Sequence, residues 1–290
     1  MSETLEFAAG GLPHTMGVLG GGRMGAGIAH GFLISGSTVT VVERDDESAQ
    51  AAYDRVADSV DKSIARGTVT ESREELLARF KVSTNYADFA PAQLVIEAVP
   101  EIWDLKVSSL KAVEAELAED AVLASNTSSL SVSGLAEHVA RPQNFLGLHF
   151  FNPVPASTLI EVVIGKQTKD EIVAASRGWV EALGKTAVVV NDAPGFASSR
   201  LGVAIALEAM RMVEEGVASA EDIDNAMVLG YKHPTGPLKT TDIVGLDVRL
   251  GIAEYLHETL GDRFAPPQIL KDLVAEGKLG RKTGQGFYTW

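Results

Sequence analysis

The chain has 290 residues, of which 46% are hydrophobic and 22% charged, so it can bury one large core or two medium ones. Its formal net charge of −14 argues against nucleic-acid binding, because phosphate backbones are held by clustered lysines and arginines. The lack of cysteine excludes disulfides, thiolate metal ligands and cysteine nucleophiles, and the six scattered histidines show no metal-ligand spacing. We therefore expect a cytoplasmic globular protein that holds any anionic ligand with local cations such as Lys106, Arg66 or the pair Arg281 and Lys282.

The N-terminal residues and the apolar runs contain no targeting or membrane signal. Residues 1–14 carry acids and no basic region ahead of an apolar one, so we predict a flexible extension. The longest apolar run, residues 201–207, is far shorter than the ~20 residues that cross a bilayer. We predict that it belongs to a buried helix and that the protein has no membrane partner.

A glycine-rich turn follows the first predicted strand. Gly20, Gly22 and Gly25 have the spacing of a dinucleotide pyrophosphate site. There the first glycine makes the tight turn, the second lets the backbone approach the phosphates, and the third lets helix and strand pack closely. A turn without a ligand is the alternative, but a helical run at 28–33 and a β-branched strand at 38–42 complete the βαβ unit that the motif requires.

The second predicted strand ends on an acid. Glu43 stands eighteen residues beyond Gly25, near the distance at which a carboxylate accepts from the adenosine ribose of NAD and repels the 2′-phosphate of NADP. Arg44 could instead pair with that phosphate. The sequence therefore favours NAD and leaves NADP open.

Apolar strands alternate with helical segments from residue 15 to about 190, which is typical of a mostly parallel sheet covered by helices on both faces. We predict an α/β fold with a Rossmann-type NAD-binding domain over 15–191. Its strands are expected near 16–20, 38–43, 81–84, 93–99, 121–125, 145–149, 159–164 and 186–190.

Residues 45–80 are too long for an ordinary crossover, and they predict an inserted helical hairpin whose second helix opens with a capping box of Ser72 and Glu75. Such a hairpin, projecting from the sheet edge, is either a lid over the substrate or a solvated decoration. After Pro194 and Gly195 only helical patterns follow, near 196–215, from 219, and near 243–260 and 267–276. We predict an all-helical C-terminal domain over 192–290.

Ligands of such sheets bind beyond the carboxyl ends of the strands, so the polar residues that follow each strand are candidates. The run Ser-Asn-Thr-Ser-Ser at 125–129 follows one strand, and it either meets a ligand or caps the helix predicted near Val132. His149 emerges from the next apolar strand, and Glu161 lies among apolar residues on the strand after it. A carboxylate in such surroundings is costly unless it is paired, so we predict a bond between Glu161 and His149.

That pair has a chemical meaning. The carboxylate would fix the imidazole tautomer and stabilise its protonated form, so that the other ring nitrogen acts as a general base. With NAD nearby, the proton removed would be that of a secondary alcohol, whose oxygen Ser128 or Asn152 could hold.

These motifs resemble those of the L-3-hydroxyacyl-CoA dehydrogenase family, which includes bacterial 3-hydroxybutyryl-CoA dehydrogenases, over residues 16–290. The matching segments are residues 20–29, 125–130, 149–155, 192–196, 236–238, 242–247 and 282–288. The resemblance implies NAD-dependent oxidation of an L-3-hydroxyacyl-CoA to a 3-ketoacyl-CoA, or the reverse. It also implies a homodimer whose helical domain supplies the dimer interface and the acyl side of the cleft.

The resemblance gives individual residues their roles. His149 is the general base, Glu161 its orienting partner and Ser128 the residue that binds the substrate 3-oxygen, with Asn152 at the same site. The positions implied to contact NAD are Gly20, Gly22, Arg23, Met24, Gly25, Glu43, Glu101, Lys106, Ser128, Asn152 and Lys282. Ser59 and Arg66 match positions that touch coenzyme A, with Arg66 in place of a common lysine.

One position departs from the family. Many members have a substrate-facing asparagine where this chain has Ser199, and a serine is shorter with one donor instead of two. We expect Ser199 to keep a weaker or water-mediated substrate contact.

Two other functions stay open. One is a dehydrogenase of the same architecture acting on a hydroxy acid or sugar acid without coenzyme A, which would have little use for the hairpin that carries Ser59 and Arg66. The other is a non-catalytic, crystallin-like nucleotide-binding protein. The joint presence of Ser128, His149, Glu161 and Asn152 argues against it.

Overall fold

The structure is a computed structural model that describes residues 11–290 of the chain. It divides into two compact units, of which the first ends at Asp192 and the second is Ala193–Trp290. This division falls one residue after the boundary that the sequence suggests. Within the described residues, no helix has both the length and the apolar content needed to cross a membrane.

The first unit is built on a mostly parallel sheet, as the alternating pattern predicts. Eight strands of the described residues follow the order β3-β2-β1-β4-β5-β6-β7-β8. The first six strands are parallel to one another, whereas β7 runs antiparallel to β6 and carries β8 parallel to itself. The strands are β1 (Thr15–Leu19), β2 (Thr38–Val42), β3 (Phe80–Ser83), β4 (Leu94–Glu97), β5 (Val122–Ser125), β6 (Phe145–Phe150), β7 (Leu159–Ile164) and β8 (Thr186–Asn191).

The helices of this unit connect the strands and bury their apolar faces. Val18, Ile96 and Leu146 on three strands form one core with Phe32 and Trp179 of two helices, and all five are buried. Because connecting helices cover both faces of the sheet, its central strands are apolar on both faces. The α-helices described here are α1 (Arg23–Ile34), α2 (Asp46–Ala65), α3 (Arg73–Ala78), α4 (Trp103–Glu116), α5 (Val132–Ala136) and α6 (Asp170–Ala182).

The segment predicted as an inserted hairpin consists of α2 and α3, and the capping box of Ser72 and Glu75 is confirmed. One face of α2 packs on the rest of the unit. Val56 and Val60 of α2 belong to the core of the unit, and Ser63 near its end forms a 2.9 Å hydrogen bond between its Oγ and Nε2 of His30 on α1. Because α2 is buried along one whole face, it is a packed layer of this unit and not a solvated decoration, and its role as a lid over the substrate stays a prediction.

The flexible extension predicted over 1–14 is wrong for its last residues, and residues 1–10 lie outside the described part. Leu12 is 2% exposed within the core. The carbonyl of Pro13 accepts a 2.7 Å hydrogen bond from Ser37 Oγ, and the carbonyl of His14 accepts one from the Thr38 amide. The chain is therefore anchored at least three residues before β1 begins.

The second unit is helical, as predicted from its pattern, and only isolated β-bridges occur among its described residues. The single helix expected near 243–260 is interrupted at Gly245, whose φ of 111° is incompatible with a continuous helix of L-residues. The prediction that 201–207 lies in a buried helix holds for one face only, because Leu201 is 63% and Ile205 39% exposed. The helices are α7 (Ser198–Glu214), α8 (Ala220–Asn225), a π-helical turn (Ala226–Gly230), α9 (Pro237–Val244), α10 (Leu246–Leu260) and α11 (Gln268–Ala275).

A buried acid fixes the C-terminal segment of this unit. Asp242 is fully buried and accepts hydrogen bonds from the amides of Phe287 and Tyr288 and from Nε1 of Trp290. A Cβ added at Gly286 would lie 2.3 Å from Oδ1 of Asp242, so the glycine is required for this approach. The matching motifs at 242–247 and 282–288 therefore meet in the structure of the helical unit.

Candidate active site

The glycine turn lies between β1 and α1, where β1 separates β2 from β4 and the strand order reverses. Gly20 has a φ of +91°, as a tight turn requires, and a Cβ on Gly25 would stand 1.8 Å from the Gly20 carbonyl oxygen. A Cβ on Gly22 would meet nothing within 4 Å. The packing of the protein therefore requires a glycine at position 25 but not at position 22. The open space beside Gly22 fits a ligand that approaches the backbone closely.

Glu43, the acid that ends β2, is held at this turn. Its Oε1 accepts a 2.6 Å hydrogen bond from the Gly21 amide, and its Oε2 accepts one of 3.1 Å from the Arg44 amide. The Arg44 guanidinium is directed to solvent and forms a 3.0 Å ion pair with Asp45. The carboxylate therefore borders the turn, where adenosine ribose hydroxyls would meet an acceptor.

The pairing of His149 with Glu161 is confirmed. The two residues stand directly opposite each other in the antiparallel ladder of β6 and β7, so their side chains share one face of the sheet. Nδ1 of the imidazole lies 2.8 Å from Oε2 of the carboxylate. His149 is 7% exposed and Glu161 is fully buried, while the ring of Phe151 packs 4.3 Å from the imidazole centroid.

The polar run at 125–129 forms a turn around the carboxylate of Glu101. Oε1 of this acid accepts hydrogen bonds from Thr127 Oγ1 at 2.6 Å, from the Ser128 amide at 2.9 Å and from Ser128 Oγ at 3.2 Å. Burial tends to raise the pKa of Glu101, but the Lys106 ammonium and these donors outweigh it and hold the pKa below its usual value. Ser128 is thus fixed by an acid that stays ionised.

The alternative role of the 125–129 run, as a helix cap, is wrong. Ser131 caps α5 by accepting a hydrogen bond from the Gly134 amide. Asp192 completes the cap, since its carboxylate accepts from the amides of Val132 and Ser133 at 3.1 and 2.8 Å.

Lys106 lies in the interior, which corrects its expected role as an accessible cation for an anionic ligand. Its side chain is 1% exposed, and its Nζ forms ion pairs of 2.8 Å with Glu97 and 3.2 Å with Glu101. Glu97 also accepts a 2.6 Å hydrogen bond from Ser125 Oγ. Sequence reasoning missed Glu97, although an acid at the end of the apolar strand β4 is the same signal that identified Glu161.

A cleft of about 420 Å³ opens beside the glycine turn, and it brings together residues from α1, α2 and the loop after β6. Three cations and one acid line it, namely Arg23, Arg55, Lys62 and Asp58, together with Ser59 and Asn152, and Lys62 forms a 2.5 Å ion pair with Asp58. Of these, Arg55 and Lys62 were missed, although their spacing with Ser59 puts all three on one helical face. The exposed Arg66, which follows α2, does not line this cleft.

The loop that carries Asn152 is held by a residue that sequence reasoning did not identify. Lys185 donates from Nζ to the carbonyls of Val154, at 2.8 Å, and Ser157. Burial lowers the pKa of Lys185. No sequence signal links Lys185 to this loop, because 31 residues separate it from Val154.

Two predicted site residues belong to the second unit. Ser199 lies in the first turn of α7. Lys282 forms an ion pair with Asp247, with a distance of 2.6 Å from Nζ to Oδ1. Burial tends to raise the pKa of Asp247, but the hydrogen bond from Lys282 outweighs it and lowers the pKa. Across residues 11–290, no group of three or more His, Asp or Glu side chains could hold a metal ion.

The chain is similar to known proteins along nearly its whole length. Residues 15–193 match the model of the 3-hydroxyacyl-CoA dehydrogenase NAD-binding domain, and residues 195–290 match that family's C-terminal domain. A probable 3-hydroxybutyryl-CoA dehydrogenase of Deinococcus radiodurans is 41% identical over 94% of this chain and 99% of its own. The mitochondrial hydroxyacyl-coenzyme A dehydrogenase of Sus scrofa is 38% identical over 94% of this chain and 90% of its own.

The fold is also similar to that of a solved structure. The crystal structure of (S)-3-hydroxybutyryl-CoA dehydrogenase from Ralstonia eutropha superimposes with a TM-score of 0.91 at 40% identity, covering 96% of this chain and 99% of that one.

Proposed function

Since the chain belongs to the 3-hydroxyacyl-CoA dehydrogenase family and is an NAD-dependent oxidoreductase, we propose that it interconverts L-3-hydroxybutyryl-CoA or a related ester and the 3-ketoacyl-CoA with His149 as general base. The observation that carries this assignment is the 2.8 Å hydrogen bond between the buried His149 and Glu161.

Residues of the chain itself transfer the hydroxyl proton of the substrate. NAD, when bound, supplies the acceptor for the hydride that leaves C3 of the substrate. Glu161 holds Nδ1 of His149, so the imidazole takes the hydroxyl proton at Nε2, and the carboxylate stabilises the imidazolium that forms. Ser128, held in place by Glu101, orients the substrate 3-oxygen together with Asn152. In the reductive direction His149 returns the proton to the same oxygen.

The cofactor in this proposal is NAD rather than NADP. Gly20, Gly22 and Gly25 supply the pyrophosphate turn, and the position of Glu43 beside that turn supports recognition of unphosphorylated ribose. The resemblance adds contacts from Arg23, Met24, Glu101 and Lys282, whereas Lys106 is buried against Glu97 and Glu101 and acts on the site through Glu101.

Coenzyme A is assigned to the cleft beside α2. Its phosphates need cations in a protein of net charge −14, and the lining beside Ser59 has a positive balance because Arg23, Arg55 and Lys62 outnumber Asp58, the partner of Lys62. Arg66, which the resemblance also implies, would reach the ligand from the end of α2. A small free acid has no need of such a surface, which favours the coenzyme A ester over a free hydroxy acid.

The assembly in this proposal is a homodimer formed through the helical unit. Leu201 and Ile205 on α7 expose apolar side chains one turn apart. Three further apolar side chains of α9 and α10, those of Ile243, Val244 and Val248, are also more than 40% exposed. Apolar surface of this kind is typical of an interface.

The His149→Ala variant tests the mechanism. We expect the rate of NADH oxidation with acetoacetyl-CoA, followed at 340 nm, to fall by about 10²–10⁴-fold, because general-base catalysis is lost. NADH binding, measured by fluorescence titration, should persist. His257→Ala, which removes a partly exposed histidine of α10, is the matched control and should keep full turnover.

Wild-type turnover by His149→Ala would show that another group moves the proton. If the unaltered protein reduces neither acetoacetyl-CoA nor longer 3-ketoacyl-CoA esters with NADH or NADPH, the proposed reaction itself is wrong.

A further inference from the structure

Helix α2 contacts Gly21, the middle residue of the glycine turn in the candidate NAD site. Nη1 of Arg55 donates a 3.2 Å hydrogen bond to the Gly21 carbonyl. Gly21 is buried, and a Cβ added there would lie 2.2 Å from Cβ of Ala52. Ala52 and Arg55 are three residues apart on α2, so they lie on one face of the helix. The position of the turn therefore depends on this face of α2.

Gly21 also links this helix to the acid that borders the turn. Its amide donates a 2.6 Å hydrogen bond to Oε1 of Glu43, while its carbonyl accepts from Arg55. Gly20 and Gly22, which supply the proposed pyrophosphate turn, are its two neighbours in the chain. Because Gly21 is held at both its amide and its carbonyl, the Arg55 side chain helps to set the backbone conformation that a dinucleotide would meet.

The same side chain lines the cleft assigned to coenzyme A, together with Ser59 and Lys62. A guanidinium has five N–H donors in a planar fork, and the bond to Gly21 uses one of them. In the described part of the chain no carboxylate forms an ion pair with Arg55, whereas Lys62 is paired with Asp58. Arg55 can thus donate to a phosphate in the cleft and to the Gly21 carbonyl at the same time.

Fixing this side chain with one ligand favours binding of the other. Arg55 is exposed, and a long side chain of this kind loses rotamer freedom when it is held in one conformation. A phosphate bound to the guanidinium would hold it in the conformation that also donates to Gly21. NADH would then bind a turn that is already ordered, so less ordering accompanies its binding. By linkage, NADH that binds first favours coenzyme A by the same factor.

We propose that Arg55 couples the cofactor site to the substrate site, so that coenzyme A bound in the cleft raises the affinity for NADH, and NADH raises the affinity for coenzyme A. Arg55 contacts a phosphate of coenzyme A and acts on NADH through Gly21, which makes it a positioning residue for the cofactor. This inference rests on the proposed function, because it requires coenzyme A in the cleft beside α2. The coupling favours the ternary complex in which hydride transfer takes place.

Fluorescence titration with NADH, in the absence and presence of saturating free coenzyme A, tests the coupling. We expect coenzyme A to lower the Kd of NADH about fivefold or more in the unaltered protein. Calorimetric titration with coenzyme A, with and without saturating NADH, should give the same factor. In Arg55→Met the factor should be close to one, and the affinity for coenzyme A alone should fall about tenfold, because a charge-assisted bond to phosphate is lost.

Three further variants separate the two contacts of Arg55. Lys62→Met removes a cation of the same cleft that pairs with Asp58 instead of the turn, so it should weaken coenzyme A binding and keep the coupling factor of the unaltered protein. Arg55→Lys retains the charge but has no fork to reach both acceptors, so it should lose more of the coupling than of the coenzyme A affinity. Arg177→Met, at an exposed arginine of α6, should change neither quantity. Melting temperatures show whether each variant folds.

The outcomes separate this inference from the function on which it rests. A coupling factor of one in the unaltered protein, an unchanged factor in Arg55→Met, or its loss in Lys62→Met at saturating coenzyme A would overturn the role of Arg55. Turnover of acetoacetyl-CoA by the unaltered protein would then still support the dehydrogenase function. If the unaltered protein does not bind coenzyme A, or if neither Arg55→Met nor Lys62→Met weakens its binding, the assignment of coenzyme A to the cleft fails, and the coupling through Arg55 fails with it.

Discussion

Each of the two fully buried acids of the sheet, Glu97 and Glu161, has a basic partner at hydrogen-bond distance. Glu97 pairs with the ammonium of Lys106 and Glu161 with the imidazole of His149, both at 2.8 Å. In both pairs the low-polarity surroundings strengthen the interaction and make loss of one partner expensive. The two pairs differ in their acid–base chemistry, because an imidazole can exchange a proton near neutral pH, whereas an ammonium remains charged.

The Glu161→Gln variant separates orientation from charge. A glutamine can still accept a hydrogen bond from Nδ1, but it cannot stabilise an imidazolium, so we expect turnover to fall by about 10²-fold or more. The pH profile of turnover should also change shape, while NADH binding stays near normal. Glu171→Gln, at an exposed acid in the first turn of α6, provides the control. An unaltered pH profile would mean that the carboxylate only positions the ring.

The lowered pKa of Glu101 predicts how the stability of the protein depends on pH. Its pKa in the folded state is lowered, so the stability that its ionised form contributes is complete above the unfolded value of about 4.3 and is lost as the pH falls through the folded value. We expect Glu101→Gln to melt roughly 2–8 °C lower at pH 7, which corresponds to about 1–2 kcal/mol for the weakened bonds to Thr127 and Ser128.

The melting-temperature difference between Glu101→Gln and the unaltered protein should shrink as the pH falls below the unfolded pKa of about 4.3 and through the lower folded pKa, where the carboxyl group of the unaltered protein becomes neutral. A scanning-fluorimetry series from pH 3.5 to 8 measures it. A difference that is constant across this range would exclude the ionised carboxylate as its source.

The sequence was informative about residues whose partners lie on consecutive strands. His149 and Glu161 could be paired from the sequence, since apolar neighbours put both on adjacent buried strands. Partners from distant segments gave no signal, and Lys185, which binds the carbonyls of Val154 and Ser157, is an example. Lys106 was misjudged for a related reason, because the sequence does not reveal that two acids meet its ammonium.

At the level of elements, the glycine turn contains two glycines whose roles, ligand binding at Gly22 and close packing at Gly25, can be tested separately. Gly22 has a φ of −61°, which any residue adopts, and open space around it. Gly25 packs against the carbonyl of Gly20, where a Cβ would stand at 1.8 Å. We expect Gly22→Ala to raise the dissociation constant of NADH about tenfold or more with little change in melting temperature, because only the ligand needs that space.

Gly25→Ala should act in the opposite way and lower the melting temperature by several degrees, since overpacking of this size costs about 1–3 kcal/mol. Fluorescence titration with NADH and thermal unfolding of both variants provide the comparison. Strong destabilisation by Gly22→Ala, or unchanged NADH affinity, would show that Gly22 serves the protein's own packing instead of a pyrophosphate.

The existence of the elements followed from hydrophobic periodicity, and all eight strands were predicted within a few residues. What periodicity could not supply was the packing of α2, since a helix with a buried face looks alike in a layer and in a projecting hairpin. The break at Gly245 was also missed, because an isolated glycine within a helical pattern is often tolerated.

At the scale of the whole molecule, the exposed apolar side of α7 is the feature that a single chain leaves unexplained. Leu201 and Ile205 lie on this side, while Val203 and Leu207 of the same helix face the core of the unit. Burying such a surface against a second copy would remove apolar area from water, and a stable interface needs roughly 1,000 Å² or more in total.

We therefore expect the unaltered protein to sediment at twice the monomer mass at micromolar concentration, and the double variant Leu201→Glu/Ile205→Glu to sediment as a monomer. Each glutamate would place a charge in the proposed interface, where burial without a partner is costly. Ile64→Glu, at a comparably exposed isoleucine of α2 in the first unit, controls for the added charge and should leave the dimer intact. A monomeric unaltered protein at every concentration tested, or a double variant that remains dimeric, would exclude this face as the site of assembly.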